Sequence, residues 1–435
     1  MIVRVPGDKS LTQRALILAA LASGPSRLSG LLHGGDAEST ARALRALGAD
    51  IPVLPGDGSE IVVGGVGLRG LRRPTGVLDL GNSGTGARLL MGALAGSGVT
   101  ATLTGDASLR GRPMARVTRP LTAMGAEIRF SEADGRLPVE VVGRHPLEPI
   151  DWPSPVASAQ VKSSILLAGL TGRAFALVTE PCQSRDHTER MLRFLGVSVI
   201  EHATSDGWRV EMRDPPDRLR PFEFEVPGDV SSAAFVLALA ALGGAGPAGV
   251  TVQGVGLNPS RTAFLDVLAR MGAPVEIEAR SAVDEPGIEP AGDVTVRPAE
   301  LSATSVGGDE IPRLLDELPL IAVLGARAEG VTTIRDAGEL RAKESDRIAA
   351  VTRNLRALGV EVEEHHGGLA VRGSDRPLSG RVQSFDDHRI TMSFGVLGVV
   401  SSRAIEIDDP SVASVSFPGF WRLMDDLARA PERAR

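Results

Sequence analysis

The sequence predicts an α/β protein of two domains, each assembled from three copies of one repeat, and three observations carry that expectation. First, the pattern L-x-x-[LM]-G-[AV]-x-[IV] occurs five times, with its glycine at Gly48, Gly125, Gly196, Gly272 and Gly359. It reads as a helix end, a C-cap glycine free to take positive φ, and an entering strand. Second, small-residue apolar helices with polar starts interleave with that series, marked by Asp8, Asn82, Ser158, Asp229, Asp316 and Asp387. Both series advance in steps of 71 to 77 residues except for one shared step of 87, which puts an insertion between Gly272 and Asp316. Third, VPGDKSLTQRALILAALASG at residues 5–24 returns as VPGDVSSAAFVLALAALGG at 226–244, three repeats further on.

Each unit is expected to hold two helices and several short strands, among them EIVVGG, ATLTG, VTVQG, TTIRD and LAVRG. The sixth unit ends in a helix around Phe420 to Leu427 with no strand after it. The orphan strand Ile2–Val5 is expected to fill that vacancy and bring both chain ends into one domain. The domains then comprise residues 8–228 and residues 1–7 with 229–435. The crossovers near Gly7 and Gly228, both Pro-Gly-Asp, suit a hinge of two linker strands. A chain of 435 residues has room for two cores, since single cores stop growing at roughly 250–300 residues.

A composition of 43% hydrophobic and 23% charged residues is that of a globular protein, and a formal net charge of -7 provides no basic field for nucleic acid. One cysteine, Cys182, leaves no disulfide possible within the chain and fits a reducing compartment. Met1 leads directly into patterned sequence without a secretory leader, and runs such as ALILAALA are too short to span a bilayer. The expectation is a cytoplasmic protein with neither a membrane nor a nucleic-acid partner.

The small-residue helices are apolar on nearly all sides and so should be buried, which leaves their N-termini to carry motifs. A helix start offers unpaired N–H groups and the positive end of the dipole. Onto such starts the sequence places Lys9, Ser10, Arg14, Arg88, Gln160 and Arg389. LGNSGTGARLL packs three glycines around one of them, so the backbone can approach a ligand closely. No P-loop pattern occurs, and the single G-x-G-x-x-G, at Gly65, Gly67 and Gly70, runs into LRRP and reads as a glycine-rich turn. RAKESDR at 341–347, DDHR at 386–389 and LDELP with Asp316 and Glu317 combine charges near helix starts. Singly each also reads as a solvated ion pair or an N-cap; together they recur at repeat-equivalent or neighbouring positions. The histidines lack H-E-x-x-H spacing, His365-His366 sits in a predicted hairpin turn, and EPCQSRDHT has no nucleophile signature around Cys182. Metal-free acid–base chemistry on anions remains. The two near-copies sharpen this reading: Lys9, Thr12, Gln13 and Arg14 in the first face Val230, Ala233, Ala234 and Phe235 in the second.

The ordered set PGDKS, GNSGTGAR, GRPM, ASAQVKSS, SRDHTERM, LLDELP, AKESDR, DDHRITMSF and SFPGF resembles, from end to end, the 5-enolpyruvylshikimate-3-phosphate synthase family. ASAQ and SRDHTE are similar to its bacterial class II branch. The resemblance implies an inside-out α/β barrel of six βαβαββ units, the enolpyruvyl transferase fold. It implies a monomeric 3-phosphoshikimate 1-carboxyvinyltransferase of chorismate and aromatic amino acid biosynthesis that needs no cofactor or metal and is a target of glyphosate. Its partners are two small anions, 3-phosphoshikimate and phosphoenolpyruvate.

By motif, the resemblance assigns Lys9, Gly84, Arg112, Gln160, Arg347 and Arg389 to phosphoenolpyruvate. It assigns Lys9, Ser10, Arg14, Ser158, Ala159, Gln160, Ser184, Arg185, Asp316 and Lys343 to 3-phosphoshikimate. Asp316 is the expected base for the target hydroxyl, Glu344 and Lys9 the proton carriers at C3, and His388 lies alongside. Two departures stand out: Val415 where some members carry lysine, and Ala159 where part of the family has serine. The related UDP-N-acetylglucosamine enolpyruvyl transferases place a cysteine in the loop that here reads GDASLRGRPM. RNA 3'-phosphate cyclases, another related repeat fold, fit the acidic charge poorly.

Overall fold

The computed structural model describes residues 1–131, 135–280, 287 and 289–433. The chain divides into two compact units. An internal unit holds Gly7–Val226 together with Gly287 and Glu289, and a terminal unit holds Met1–Pro6 and the chain from Pro227 onward, apart from that short insertion.

All six small-residue helices form: Lys9–Leu21, Gly84–Ala95 and Ala159–Gly172 in the internal unit, and Val230–Ala241, Leu318–Gly325 and His388–Val400 in the terminal unit. Each is buried along most of its length, as all-round apolar character requires. Four are capped by their own N-cap side chain: Asp8, Ser83, Asp229 and Asp387 accept from the N–H of Leu11, Gly86, Ser231 and Arg389 at 2.8, 3.1, 2.8 and 2.8 Å. The second series forms as well. Gly48, Gly125, Gly196, Gly272 and Gly359 each follow an outer helix, and all five take φ between 78° and 103°, a conformation that a Cβ resists.

Four sheets repeat one plan, a parallel pair followed by two antiparallel strands. In the internal unit they are Leu78–Asp79, Thr100–Thr104, Val139–Val142, Glu127–Phe130, and Ile150–Pro153, Ala176–Glu180, Gly207–Met212, Val199–Thr204. In the terminal unit they are Ile2–Val3, Val250–Gly256, Ala291–Val296, Val275–Ala279, and Ser305–Val306, Val331–Ile334, Gly368–Arg372, Val362–His365. The first repeat is abbreviated: after Gly48 the entering strand shrinks to a single bridge from Asp50 to Gly64. The sixth keeps only the parallel pair Gly380–Val382 and Ile405–Ile407 before the helix Phe420–Arg433. Among the described residues no sheet closes on itself, so the architecture is two-domain α/β without a closed β-barrel.

One expectation is corrected. The N-terminal strand is shorter than Ile2–Val5 and joins the fourth repeat, not the sixth, pairing Ile2 with Thr251 and Val3 with Val252. The vacancy it fills exists because the fourth repeat's own first strand, Glu223–Glu225, leaves to pair in parallel with Pro25–Ser29 of the first repeat. Both strands stand just before Val-Pro-Gly-Asp, so the two equivalent segments have exchanged sheets. In the terminal unit the Asp229 N–H donates to Pro6 O at 2.8 Å and the Gly228 N–H to Gly254 O at 2.8 Å. In the internal unit a Cβ on Gly7 would meet Gly30 O at 1.8 Å, so only glycine passes there.

The internal core includes an unusually close helix pair. A Cβ on Gly92 would lie 2.2 Å from Ser164 O, and one on Gly96 2.1 Å from Gly172 N, so these glycines let the Gly84 and Ala159 helices touch backbone to backbone. That contact places the two helix starts beside each other. No helix among the described residues is long and apolar enough to cross a membrane.

Candidate active site

The internal unit carries ten of the expected site residues. Lys9 opens its helix, and its ammonium lies 3.2 Å from Asp36 in the first turn of the helix Gly35–Ala46. One turn on, Arg14 is 4% exposed and fully engaged: Nε donates to Thr188 Oγ1 at 2.7 Å, Nη2 to Ser163 Oγ at 3.0 Å and Nη1 to Ser10 O at 3.1 Å. Burial draws its pKa down to about 10 against the opposing fields of Glu189, Asp8 and Glu289, so it stays charged near neutral pH.

The Gly84 helix start is a cradle of guanidinium groups. Arg88 Nη1 donates to Gln160 Oε1 at 2.9 Å and to Gly84 O at 3.2 Å, and Gln160 Nε2 donates to Thr85 Oγ1 at 3.0 Å. Arg112 is held by Asn82 Oδ1 at 2.5 Å and Ser108 Oγ at 3.1 Å, while Asn82 is itself anchored on Asp106 at 2.9 Å. A Cβ on Gly84 would come within 2.8 Å of Arg88 Nη1 and 3.1 Å of Arg112 Nη1. The bare backbone therefore lies directly beneath two cations, an arrangement suited to a small polyanion.

Ser158 is the N-cap of the Ala159 helix, yet its hydroxyl makes no capping bond. Its N–H instead donates to Glu180 Oε1 at 2.7 Å, and the Ser184 hydroxyl donates to the same carboxylate at 2.9 and 2.8 Å. Ala159 is the first residue of the helix and Arg185, partly exposed, follows Ser184. The G-x-G-x-x-G at Gly65 to Gly70 is a turn with no helix behind it, as its sequence context indicates.

The terminal unit carries the rest. Arg347, 1% exposed, opens the helix Arg347–Ala357 and binds three carboxylates: Asp387 through Nε at 2.8 Å, Glu344 through Nη2 at 2.7 Å and Asp316 at 3.5 Å. Burial alone would weaken its charge, but Asp387, Glu344 and Asp316 together raise its pKa above the ordinary arginine value. Asp387 also accepts from Ser345 Oγ at 3.0 Å and caps the helix that begins with His388 and Arg389, both 4% exposed. The Arg389 guanidinium lies 5.9 Å over the Phe235 ring. Lys343 turns to Glu339 at 2.9 Å instead of joining the Arg347 cluster. Val415 ends the 3-10 turn Pro410–Val415.

Sequence reasoning named the cations of the helix starts but missed partners of theirs, Asp36, Asn82 with Asp106, and Ser163 with Thr188, and it missed the fully buried cluster of Lys162, Glu180 and Glu189. Only Lys162 had a legible signal, as a charge inside an otherwise small and apolar helix.

The fold of two three-repeat units with cation-bearing helix starts recurs in solved structures. The enolpyruvyl transferase NikO from Streptomyces tendae superposes with a TM-score of 0.70 at 19% identity over 99% of this chain and 94% of that one, which shows the fold. EPSP synthase from Acinetobacter baumannii reaches a TM-score of 0.83 at 36% identity over 98% and 95%. The class is the two-domain α/β enolpyruvyl transferase. Within it, the family model for EPSP synthase (3-phosphoshikimate 1-carboxyvinyltransferase) matches residues 1–424. Proteins named 3-phosphoshikimate 1-carboxyvinyltransferase from Gloeobacter violaceus and Desulforamulus reducens are 49% and 48% identical, over 99% and 98% of this chain and 96% of each of theirs. The chain belongs to the EPSP synthase family.

Proposed function

We propose that this enzyme transfers the enolpyruvyl group of phosphoenolpyruvate to the 5-hydroxyl of 3-phosphoshikimate, releasing phosphate. The observation that carries the reading is the Gly84 cradle, bare backbone under Arg88 and Arg112, in a chain that the family matches almost end to end. Lys9, Gly84, Arg112, Gln160, Arg347 and Arg389 hold phosphoenolpyruvate. Lys9, Ser10, Arg14, Ser158, Ala159, Gln160, Ser184, Arg185, Asp316 and Lys343 hold 3-phosphoshikimate.

In the first step the 5-hydroxyl oxygen bonds to C2 of phosphoenolpyruvate, its proton passes to Asp316, and C3 gains a proton from Glu344 or Lys9. In the second, C3 gives up a proton, the double bond re-forms, and the C2–O bond to phosphate breaks. Asp316 and Glu344 both face Arg347, so one buried cation fixes the two carboxylates beside each other, which supports giving them paired roles. His388 stands at the start of the adjacent helix.

The same reading takes residues 8–228 and residues 1–7 with 229–435 as domains hinged near Gly7 and Gly228. It takes the chain as a monomer of the cytoplasm, in keeping with its single cysteine, and as class II, in keeping with ASAQ and SRDHTE. The test is phosphate release from phosphoenolpyruvate with each of two acceptors. Release is expected with 3-phosphoshikimate alone; release with UDP-N-acetylglucosamine, or with neither, refutes the assignment.

A further inference from the structure

Four residues beyond the N-cap, five of the six buried helices carry an uncharged side chain: Thr12, Ala87, Ala233, Ile321 and Thr391. The Ala159 helix carries Lys162. The repeat therefore packs without a charge at this place, and burying one is costly; ion pairs in such positions are often replaceable by apolar residues with no loss of stability. Lys162 Nζ lies 2.8 Å from both Glu180 and Glu189, and all three side chains are fully buried. One cation thus bridges two carboxylates.

The two carboxylates differ in what else they hold. Glu180 accepts from the Ser158 N–H and the Ser184 hydroxyl, which belong to separate segments, the start of the Ala159 helix and the loop after the strand Ala176–Glu180. Glu189 makes no hydrogen bond to either serine among the described residues. A hydroxyl has one proton, so Ser184, while bound to Glu180, meets a ligand as an acceptor and fixes its loop with the neighbouring Arg185. Ser158, held by its backbone, keeps its hydroxyl uncommitted to the helix cap.

We infer that Glu180 is a positioning residue for the acceptor: its carboxylate, braced by Lys162, aims the Ser158 hydroxyl and the Ser184–Arg185 loop at the phosphorylated substrate. The inference rests on the assignment of Ser158, Ser184 and Arg185 to 3-phosphoshikimate. Glu180→Gln and Glu189→Gln provide the comparison, because each leaves Lys162 opposite a single carboxylate. A glutamine at 180 brings one acceptor and one donor where three donors converge, so one of them loses its partner.

Steady-state kinetics with both substrates varied should show KM for 3-phosphoshikimate rising about tenfold in Glu180→Gln, with kcat within about threefold and KM for phosphoenolpyruvate within about twofold. In Glu189→Gln, KM for 3-phosphoshikimate should stay within about twofold of wild type. Equal rises in the two variants, or none in Glu180→Gln, overturn the inference. Should the glutamine variant not fold, Glu180→Asp, which keeps the charge but withdraws it by one methylene, is held to the same split. Ser184→Ala separates the two layers of argument. An unchanged KM there removes the site assignment and the inference with it, whereas a raised KM beside a neutral Glu180→Gln removes the inference alone.

Discussion

Gly84→Ala tests the cradle most directly. The added Cβ would stand 2.8 Å from Arg88 Nη1 and 3.1 Å from Arg112 Nη1, and ordinary contact begins near 3.4 Å. Arg88 must therefore retreat by about 0.6 Å and Arg112 by about 0.3 Å, both at the ends of flexible side chains. Arg88 holds Gln160 at 2.9 Å, so a retreat of that size along the bond stretches it to about 3.5 Å and weakens it. A hydrogen bond from a charged donor is worth about 1.5 kcal/mol or more, roughly tenfold in affinity when fully lost, and that sets the scale of the rise in KM for phosphoenolpyruvate. Folding should not suffer: Gly84 is the first residue of a helix, where alanine is the better helix former, so the melting temperature should hold or rise slightly. Glyphosate is longer than phosphoenolpyruvate, so the methyl that slightly displaces the donor should crowd the inhibitor more. The measurements are KM for phosphoenolpyruvate and the glyphosate inhibition constant, each for wild type and variant. The expected result is a KM up about three- to tenfold and an inhibition constant up by a larger factor. Equal factors would place the whole effect in the displaced guanidinium groups, and no change in either would remove Gly84 from the pocket wall.

Lys9→Met should lower turnover at least ~100-fold, about 2.7 kcal/mol of lost transition-state stabilisation, with the fold intact. Val230→Ala, at the equivalent place in the terminal unit, should leave kcat unchanged; alanine is the right control because Val230 is only 3% exposed and a methionine would overpack it. Asp316→Asn and Glu344→Gln should bind 3-phosphoshikimate within about tenfold of wild type by calorimetry yet lose most of kcat, and near-normal turnover in either would make that carboxylate structural. Burial raises the Glu189 pKa from 4.5 to about 7 despite Lys162, so the folded chain binds a proton that the unfolded chain releases between those values. Stability should accordingly be greatest below about pH 4.5 as far as this group is concerned, and fall as pH rises to about 7. Denaturant melts across that range should show this slope in wild type and lose it in Glu189→Gln; an identical slope in both assigns the dependence to other groups.

What was legible in the sequence was local. A C-cap glycine and the strand after it lie within a few residues, so five of the outer helix ends could be placed from one pattern, and five glycines with positive φ follow from it. The strand exchange was not local. The segments before the two Val-Pro-Gly-Asp copies are equivalent, and either could complete either sheet; which one does is settled by pairing across more than 190 residues, Arg27 with Glu223 and Ile2 with Thr251. The site divides the same way. Helix starts announce their cations through composition, whereas the choice of Asp36 for Lys9 or Asn82 for Arg112 depends on which segments the fold brings together.

The position shared by Arg14 and Phe235 shows how one scaffold came to serve two purposes. Both lie six residues after an N-cap aspartate whose carboxylate caps its own helix, so the backbone frame is the same. In the internal unit the side chain is a buried cation, and desolvation would expel it were its guanidinium not matched by Thr188, Ser163 and Ser10 O. In the terminal unit it is a phenyl ring that packs edge-on to Phe420 at 6.0 Å and lies under Arg389 at 5.9 Å. The first copy supplies a charge and the second supports one. The hydroxyls that satisfy Arg14 lie on the Ala159 helix and on the helix His187–Phe194, so one buried cation draws on three helices, whereas Phe235 at the equivalent position needs only the aromatic packing around Phe420.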